Sequence, residues 1–597
     1  MKNARYRYMN SCFTRVLGKS TMWRLLKSIG VGKEINQCED EIFSPDTHND
    51  AFINNIPVIS PQTPQINTPQ SVFSEDNFYF SYIYPEVVLA AIKKVKSNAV
   101  GADGISIKMV KLITPQILSA LVHIYNFSIQ KCVFPLLWGK ANVTALPKIF
   151  NPILLSDFRP ISLLCVLAKI LEKILYSDIV TYMTRFKIND HFQSGFKSGH
   201  STATALLKVT EDLRNATFSS KITILVLLDF SKAFDCVVHH ILLGILRKLN
   251  FSNSSVKWFE AYLYGRMQRV VNKSGESSNW RETLAGVPQG STLGPLLFRL
   301  YVWFIGKVLK HCQYHMFADD LQIYLHCNPD DFDATIDKIN YDLCALTKWT
   351  DEHGLVMNPK KTQVLVIGKQ SVIKQMKFDE INKVCVKGVN IDFSQCTRNL
   401  GVTMCNDLSW SAHVSKIAQK VFLSLRSLYI HRPYTPIPAR INLINTLIFP
   451  ILDYCDVVYC DLSQECLNRL QVIQNDCIRY IYDVPKRGHV TPYYDSLKWL
   501  KIKQRHAYHI LQHTHKVLYT KQPSYLYNLF TLMTSVSTRV TRSHDLYLLV
   551  PIGPKKSFIS VATALWNQLP APIMSISNRD TFKSYIYKML LSGDIKV

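Results

Sequence analysis

The chain is 597 residues long, 47% of them hydrophobic, and carries 69 Lys and Arg against 44 Asp and Glu, a formal balance of +25. That apolar content is ample for sizeable cores and excludes wholesale disorder, and the length allows several domains or one large multi-lobed enzyme. A cationic surplus spread over a folded chain points to a polyanionic partner, nucleic acid before an anionic membrane surface, with solubility alone as the bland alternative.

Met1 to Lys33 carries eight Lys and Arg and no acid, which fits a basic arm on nucleic acid or an Arg-rich transit segment. From Ser44 to Ser71 the composition turns to Asn, Gln, Ser and Thr with prolines at 45, 57, 61, 64 and 69, a pattern that predicts an exposed linker without helix. The folded part is expected from near Ser81. Thr114-Pro115 reads as an N-cap followed by Pro at the first helical position, opening a helix with Ile117, Leu118, Leu121, Val122 and Tyr125 on one face. Ile222 to Leu228 is almost continuously apolar, as in a strand covered on both faces, and ends in Asp229. Asp235 is expected to cap a helix carrying Val237, Ile241, Leu242 and Ile245. Tyr314 to Tyr324 reads as strand, tight turn, strand, with Asp319-Asp320 at the bend.

The longest apolar candidate for a bilayer span, Leu293 to Leu309, is broken by Pro295, Arg299 and Lys307, so no membrane partner is expected. Fifteen cysteines, an odd number without the spacing of a disulfide scaffold, together with no secretory segment, predict a reducing, intracellular compartment. Cys455, Cys460, Cys466 and Cys477 lack the close pairs of a zinc knuckle and read as core filler.

Two adjacent aspartates at a hairpin tip repel each other, and a third at the end of a buried strand adds to the cost unless a cation neutralises them. Hard oxygen ligands select Mg²⁺, with Mn²⁺ as the alternative. Three such carboxylates suit two-metal nucleotidyl transfer, although an Asp-Asp pair alone is usually only turn chemistry. Gly286-Val287-Pro288-Gln289-Gly290-Ser291, then Leu293-Gly294-Pro295, is too rich in Gly and Pro for ordinary core and lets a backbone approach a base pair closely.

In order, LDFSKAFD (Leu228 to Asp235), GVPQGSTLGP (Gly286 to Pro295) and FADD (Phe317 to Asp320) resemble the reverse transcriptases of non-long-terminal-repeat retrotransposons, the jockey-like elements most nearly. NAVGADGI (Asn98 to Ile105), LPK (Leu146 to Lys148), DFRPISLL (Asp157 to Leu164) and QSGFKSGHST (Gln193 to Thr202) extend the likeness upstream. GLVMNPKKT (Gly354 to Thr362), NLGV (Asn399 to Val402), PILDYCDVVY (Pro450 to Tyr459) and LQVIQNDCIRYI (Leu470 to Ile481) extend it downstream. The resemblance implies an α+β right-hand polymerase of fingers, palm and thumb, with an antiparallel palm sheet and a helical C-terminal region. Its expected divisions are a basic arm at 1–43, the linker at 44–80, fingers and palm at 81–385, a primer grip and thumb-like helical region at 386–500, and a helical tail at 501–597.

By the same resemblance Asp229, Asp319 and Asp320 are the catalytic and metal-binding triad, and Phe230 lends a metal its backbone carbonyl. Phe234 matches the aromatic gate that excludes a ribose 2′-hydroxyl, Lys148 and Arg159 match residues that clamp the triphosphate, and Gln289 and Gly290 lie against the template base pair. Lys361 matches the lysine that protonates the leaving pyrophosphate. Solvated surface charge is the alternative for Lys148 and Lys361, and His239 and His240 read as structural. The implied partners are an RNA template, a DNA primer and deoxynucleotides, and the implied place of reaction is the nucleus, with the cytoplasm as the alternative. Val238, His240, Trp303 to Gly306, Asn399 and Cys405 depart from the family's pattern, so a decayed copy that only binds nucleic acid is the rival reading. The 80 residues ahead of the polymerase are too few for the family's endonuclease, which predicts a truncated element or a partial gene.

Overall fold

The computed structural model describes residues 42–54, 77–376, 381–535 and 546–597; nearly all of the basic arm and most of the expected linker lie outside them. The linker expectation fails where it can be tested. Pro45–Ile53 is a helix (α1), because Ser44 accepts a hydrogen bond from the Thr47 amide while Pro45, at the helix start, forfeits no helical bond. The proline that looked like a breaker is an initiator.

Helix α2 is Pro85–Lys94, and α3, Ile107–Lys131, also corrects an expectation. It starts at a Ser106 cap and runs through Pro115, whose missing N–H costs one helical bond, while Thr114 Oγ1 bonds back to the Val110 carbonyl. By length and composition alone α3 could cross a membrane. Its Val110, Leu121 and Tyr125 are buried in the core and its Met109, Leu112 and Ile124 are exposed.

Strands β1 (Lys140–Pro147) and β2 (Phe158–Leu163) form an antiparallel hairpin, followed by helices α4 (Val166–Arg185) and α5 (Thr202–Phe218). Next come β3 (Ile222–Leu228), the short β4 (Phe230–Ser231), α6 (His239–Lys248), α7 (Asn253–Leu263), β5 (Met267–Val270), β6 (Arg281–Glu282) and α8 (Gly294–Tyr301). Asp235 is not the cap of α6: the helix begins four residues later with Val238 at the cap, because the Asp235 carboxylate is engaged elsewhere. The chain continues through β7 (Gln313–Phe317), β8 (Asp320–Cys327), α9 (Phe332–Glu352), β9 (Val356–Met357) and β10 (Gln363–Ile367). It then forms β11 (Val384–Val386), β12 (Val389–Ile391), β13 (Phe393–Ser394), β14 (Cys396–Asn399) and β15 (Val402–Cys405). The longer helices that follow are α10 (Ser411–His431), α11 (Gln464–Tyr482), α12 (Ile502–Thr520), α13 (Phe558–Trp566) and α14 (Arg579–Ser592).

Two sheets position the site. One has the order β2-β1-β5-β6, with β1 and β5 parallel; the other has the order β13-β10-β3-β8-β7, with β3 antiparallel to both neighbours. The apolar run of β3 is explained by its place between two cores: Ile222, Ile224, Val226 and Leu228 face one cluster while Leu225 faces the other. That second core packs α5 against the C-terminal helices and joins residues on both sides of position 500, so the expected boundary there falls inside one apolar cluster. Arg214 of α5 is buried and reaches Asp461 at 2.8 Å, the Val458 carbonyl at 2.9 Å and Glu211 at 3.4 Å, a charge placed inside because these partners meet it.

Candidate active site

Strand β3 pairs with β8 through Leu228 opposite Leu321, so one further step along the register sets Asp229 against Asp320. The β7–β8 hairpin turns at Ala318-Asp319, Ala318 taking a left-handed φ of 59°. The carboxylates of Asp229, Asp319 and Asp320 thus collect at one end of the five-stranded sheet. Protein packed around Asp320 pushes its carboxyl up to about 6, with the charges of Asp319 and then Asp229 adding to the effect. Asp319 is raised too, first by burial and then by Asp229. Three carboxylates that raise one another at one end of a sheet suit a hard divalent cation. An ammonium already answers part of the charge: Lys361 Nζ lies 3.1 Å from Asp229 Oδ2. Phe230 is buried and its backbone pairs with Met357, which fixes the residue after Asp229.

The cations expected at the site also converge. Lys148 is held below the ordinary lysine range first by burial and then by Arg159, Lys361 and Lys232, so these four positive groups share one neighbourhood. Lys148 Nζ is anchored on the Ser156 carbonyl at 2.8 Å, which makes it part of a built loop end.

The glycine-rich loop is fixed on both sides. Gly286 N donates to the Val237 carbonyl at 2.7 Å and Val287 N to the Phe234 carbonyl at 2.9 Å. Gln289 Nε2 donates to Asp235 Oδ1 at 2.9 Å, while the Gln289 carbonyl accepts from Ser162 N at 2.8 Å. Gly290 has φ +133° and lies so close to β2 that a Cβ would stand 2.4 Å from the Ser162 carbonyl oxygen. Only glycine permits that approach. Phe234 stacks on Phe298 of α8, with centroids 4.4 Å apart and planes at 26°, and meets Phe196 edge-on at 5.7 Å.

Several participants were not anticipated from sequence. Glu172, fully buried on α4, accepts from the amides of Thr292 and Leu293 and from Tyr262 Oη, and so holds the far end of the loop. Its signal was an acid inside an apolar helical run. His239 Nε2 lies 2.8 Å from the Gly286 carbonyl, so its structural role is to brace this loop. Asn399, one of the departures from the family's pattern, is buried and bonds Gln322 of β8 at 2.6 Å, tying the β14–β15 hairpin to the central sheet. Cys396 and Cys405, opposite each other in that hairpin, form a disulfide. A second carboxylate cluster, Asp453, Asp456 and His509, has its ligand atoms within 4.8 Å of one another. Arg505 clamps both oxygens of Asp453 and His509 bonds Asp456, so an ion-pair network already satisfies it.

Residues 146–404 match the family model described as reverse transcriptase (RNA-dependent DNA polymerase). That stretch, less than half of the chain, contains the carboxylates, the glycine-rich loop and the stacked phenylalanine. Among curated proteins the chain is similar to the probable RNA-directed DNA polymerase from transposon BS of Drosophila melanogaster, 27% identical over 417 residues, or 67% of this chain and 44% of the relative. It is also similar to the RNA-directed DNA polymerase from mobile element jockey of the same fly, 25% identical over 448 residues, or 71% and 47%. The probable RNA-directed DNA polymerase from transposon X-element is 26% identical over 66% of the chain and 43% of its own length. The chain thus spans less than half the length of these relatives.

Proposed function

We propose that the protein is the RNA-directed DNA polymerase of a jockey-like non-long-terminal-repeat element, adding deoxynucleotides to the 3′-hydroxyl of a DNA primer on an RNA template in the nucleus. The observation that carries this reading is the meeting of Asp229, Asp319 and Asp320 at one end of the sheet beside a glycine-rich loop whose shape only glycine allows. On this reading the five-stranded sheet is the palm, the β2-β1-β5-β6 sheet the fingers, and β14–β15 with α10 the primer grip and thumb.

Asp229, Asp319, Asp320 and the Phe230 carbonyl would hold Mg²⁺, with Mn²⁺ as the alternative, and the ion when bound activates the primer hydroxyl and offsets charge on the leaving phosphate. Lys148 and Arg159 receive the triphosphate, the guanidinium as a planar fork and the ammonium as a point charge. Lys361 supplies the proton that the leaving pyrophosphate takes. Phe234, immobilised between Phe298 and Phe196, presents a fixed edge against which a 2′-hydroxyl would collide. Gln289 and Gly290 form the floor beneath the nascent base pair. The test is primer extension by the purified chain on an RNA template. Deoxynucleotide addition supports the reading; tight primer–template binding with no addition under Mg²⁺ or Mn²⁺ overturns it in favour of a protein that only binds nucleic acid.

A further inference from the structure

The turn of the β7–β8 hairpin carries a conformational cost that its own two residues do not meet. Phe317 pairs with Asp320, so the strands are joined by Ala318 and Asp319 alone. A two-residue loop takes a positive φ at its first position most readily with glycine. Ala318 takes φ 59° there, where a Cβ is crowded, and it is buried, so its peptide groups need partners inside the protein. One side chain supplies both. Gln193, itself 3% exposed, accepts from Ala318 N with Oε1 at 3.0 Å and donates from Nε2 to the Ala318 carbonyl at 3.0 Å. Its amide stands to Ala318 as a residue of a neighbouring strand would.

The segment that brings Gln193 there is fixed along its length. Met316 N of β7 donates to the Phe192 carbonyl and Ser194 N donates to the Met316 carbonyl, each at 2.8 Å. Ser194 Oγ lies 2.9 Å from His315 Nε2 and 2.8 Å from Tyr525 Oη, so a residue well beyond the end of the family match also backs the segment. Gly195 N donates to Gln193 Oε1 at 2.7 Å, which sets the orientation of the amide. A Cβ on Gly195 would stand 2.2 Å from Ala318 N, so any larger residue would hold the segment away from the turn. The effect passes to the next residue. The Ala318 carbonyl belongs to the same planar peptide unit as the Asp319 amide, so the bond from Gln193 fixes the plane from which the Asp319 side chain departs.

We propose that Gln193 is a positioning residue: it holds Ala318 in the left-handed conformation and so aims the Asp319 carboxylate at the divalent cation. For the role of Asp319 this rests on the polymerase reading above. The test measures Mn²⁺ binding to the full chain by electron paramagnetic resonance, with Asp319→Asn marking the share that the site contributes, and primer extension on an RNA template in parallel. Gln193→Met, which keeps the volume and removes the amide, should weaken Mn²⁺ binding and lower kcat by about 10-fold each, with KM for deoxynucleotide within about twofold of wild type. Gly195→Ala, which drives the segment off the turn by another route, should weaken Mn²⁺ binding in the same way. Adding Ala318→Gly to Gln193→Met should recover about threefold or more of the loss, because glycine takes a positive φ without a clamp. Mn²⁺ affinity within about twofold of wild type in both single variants overturns the proposal. So does a loss that Ala318→Gly leaves unchanged, since Gln193 would then act otherwise than through the turn. Equal Mn²⁺ binding by wild type and Asp319→Asn overturns it as well. Wild type that binds Mn²⁺ at the site without extending a primer removes the polymerase reading, and the clamp stands on the Mn²⁺ losses of the variants.

Discussion

At Gly290 two independent constraints coincide, a φ of +133° and a β2 carbonyl oxygen 2.4 Å from where a Cβ would be. Gly290→Ala should therefore cost at least ~1–3 kcal/mol in strain and push the loop off β2. The expected outcome is a lowered melting temperature together with a raised KM for deoxynucleotide; wild-type values for both would show that the loop does not need this approach. Phe234 is constrained differently, by two rings that leave it no freedom to retreat. Phe234→Ala should raise the efficiency of ribonucleotide incorporation relative to deoxynucleotide by ~10–100-fold, and an unchanged ratio measured by competitive extension would remove its role as gate. Gly290 was marked in the sequence by its Gly- and Pro-rich loop, whereas Phe234 stood out only through the resemblance of the run that carries it. At Asp235 a local signal misleads. Local chemistry makes it a helix cap, but Gln289, 54 residues away, takes its carboxylate, and no local rule reaches that far.

Among the elements, β3 and the β7–β8 hairpin were foreseeable because a continuous apolar run and a strict alternation are strong patterns, and each ends on the aspartates it positions. The two helices misplaced in the sequence reading share a cause. Local chemistry makes proline at 45 a breaker and proline at 115 a starter, whereas tertiary packing of Phe52 against Val143 and of Val110 and Leu121 into the main core decides both helices. The support of the glycine-rich loop by α4 was invisible to pattern, since a lone buried acid declares only that it has partners. Glu172→Leu would leave the amides of Thr292 and Leu293 unpaired in a dry interior, a loss of ~1–3 kcal/mol per group, while Glu172→Gln keeps an acceptor and should lose less. Thermal melts of the two variants check the order; equal melts would mean that the loop is held without Glu172. The Asp50–Arg281 pair, with both side chains about half exposed, is a contrasting case. Breaking it with Asp50→Ala should move the melt little, because exposed pairs contribute ~0–1 kcal/mol.

For the molecule as a whole, the buried histidines set a direction for acid stability. Burial holds His315 down to about 3 and, as the largest cause in each, His353 and His413 down to about 4, against an ordinary value of 6.5. These groups are neutral when folded and protonate readily once unfolded, so their contribution is fully present above about pH 6.5 and is lost as pH falls from there towards 4. His509, raised through Asp456, works in the opposite direction. Carboxyls that burial raises, Asp320 among them, also work in the opposite direction, so the histidine share is read by difference: between pH 7 and pH 5, His315→Gln should lose less melting temperature than wild type, and an equal or larger loss would contradict it. The +25 surplus, with Lys148, Arg159, Lys232 and Lys361 gathered beside the three acids, also predicts steeply salt-dependent primer–template binding. The most direct measurement is primer extension on an RNA template by wild type and Asp319→Asn at equal primer–template occupancy. The account predicts extension by wild type and a loss of at least ~10³-fold in the variant, as expected when a group that stabilises the transition state is removed; extension that persists in Asp319→Asn would contradict it.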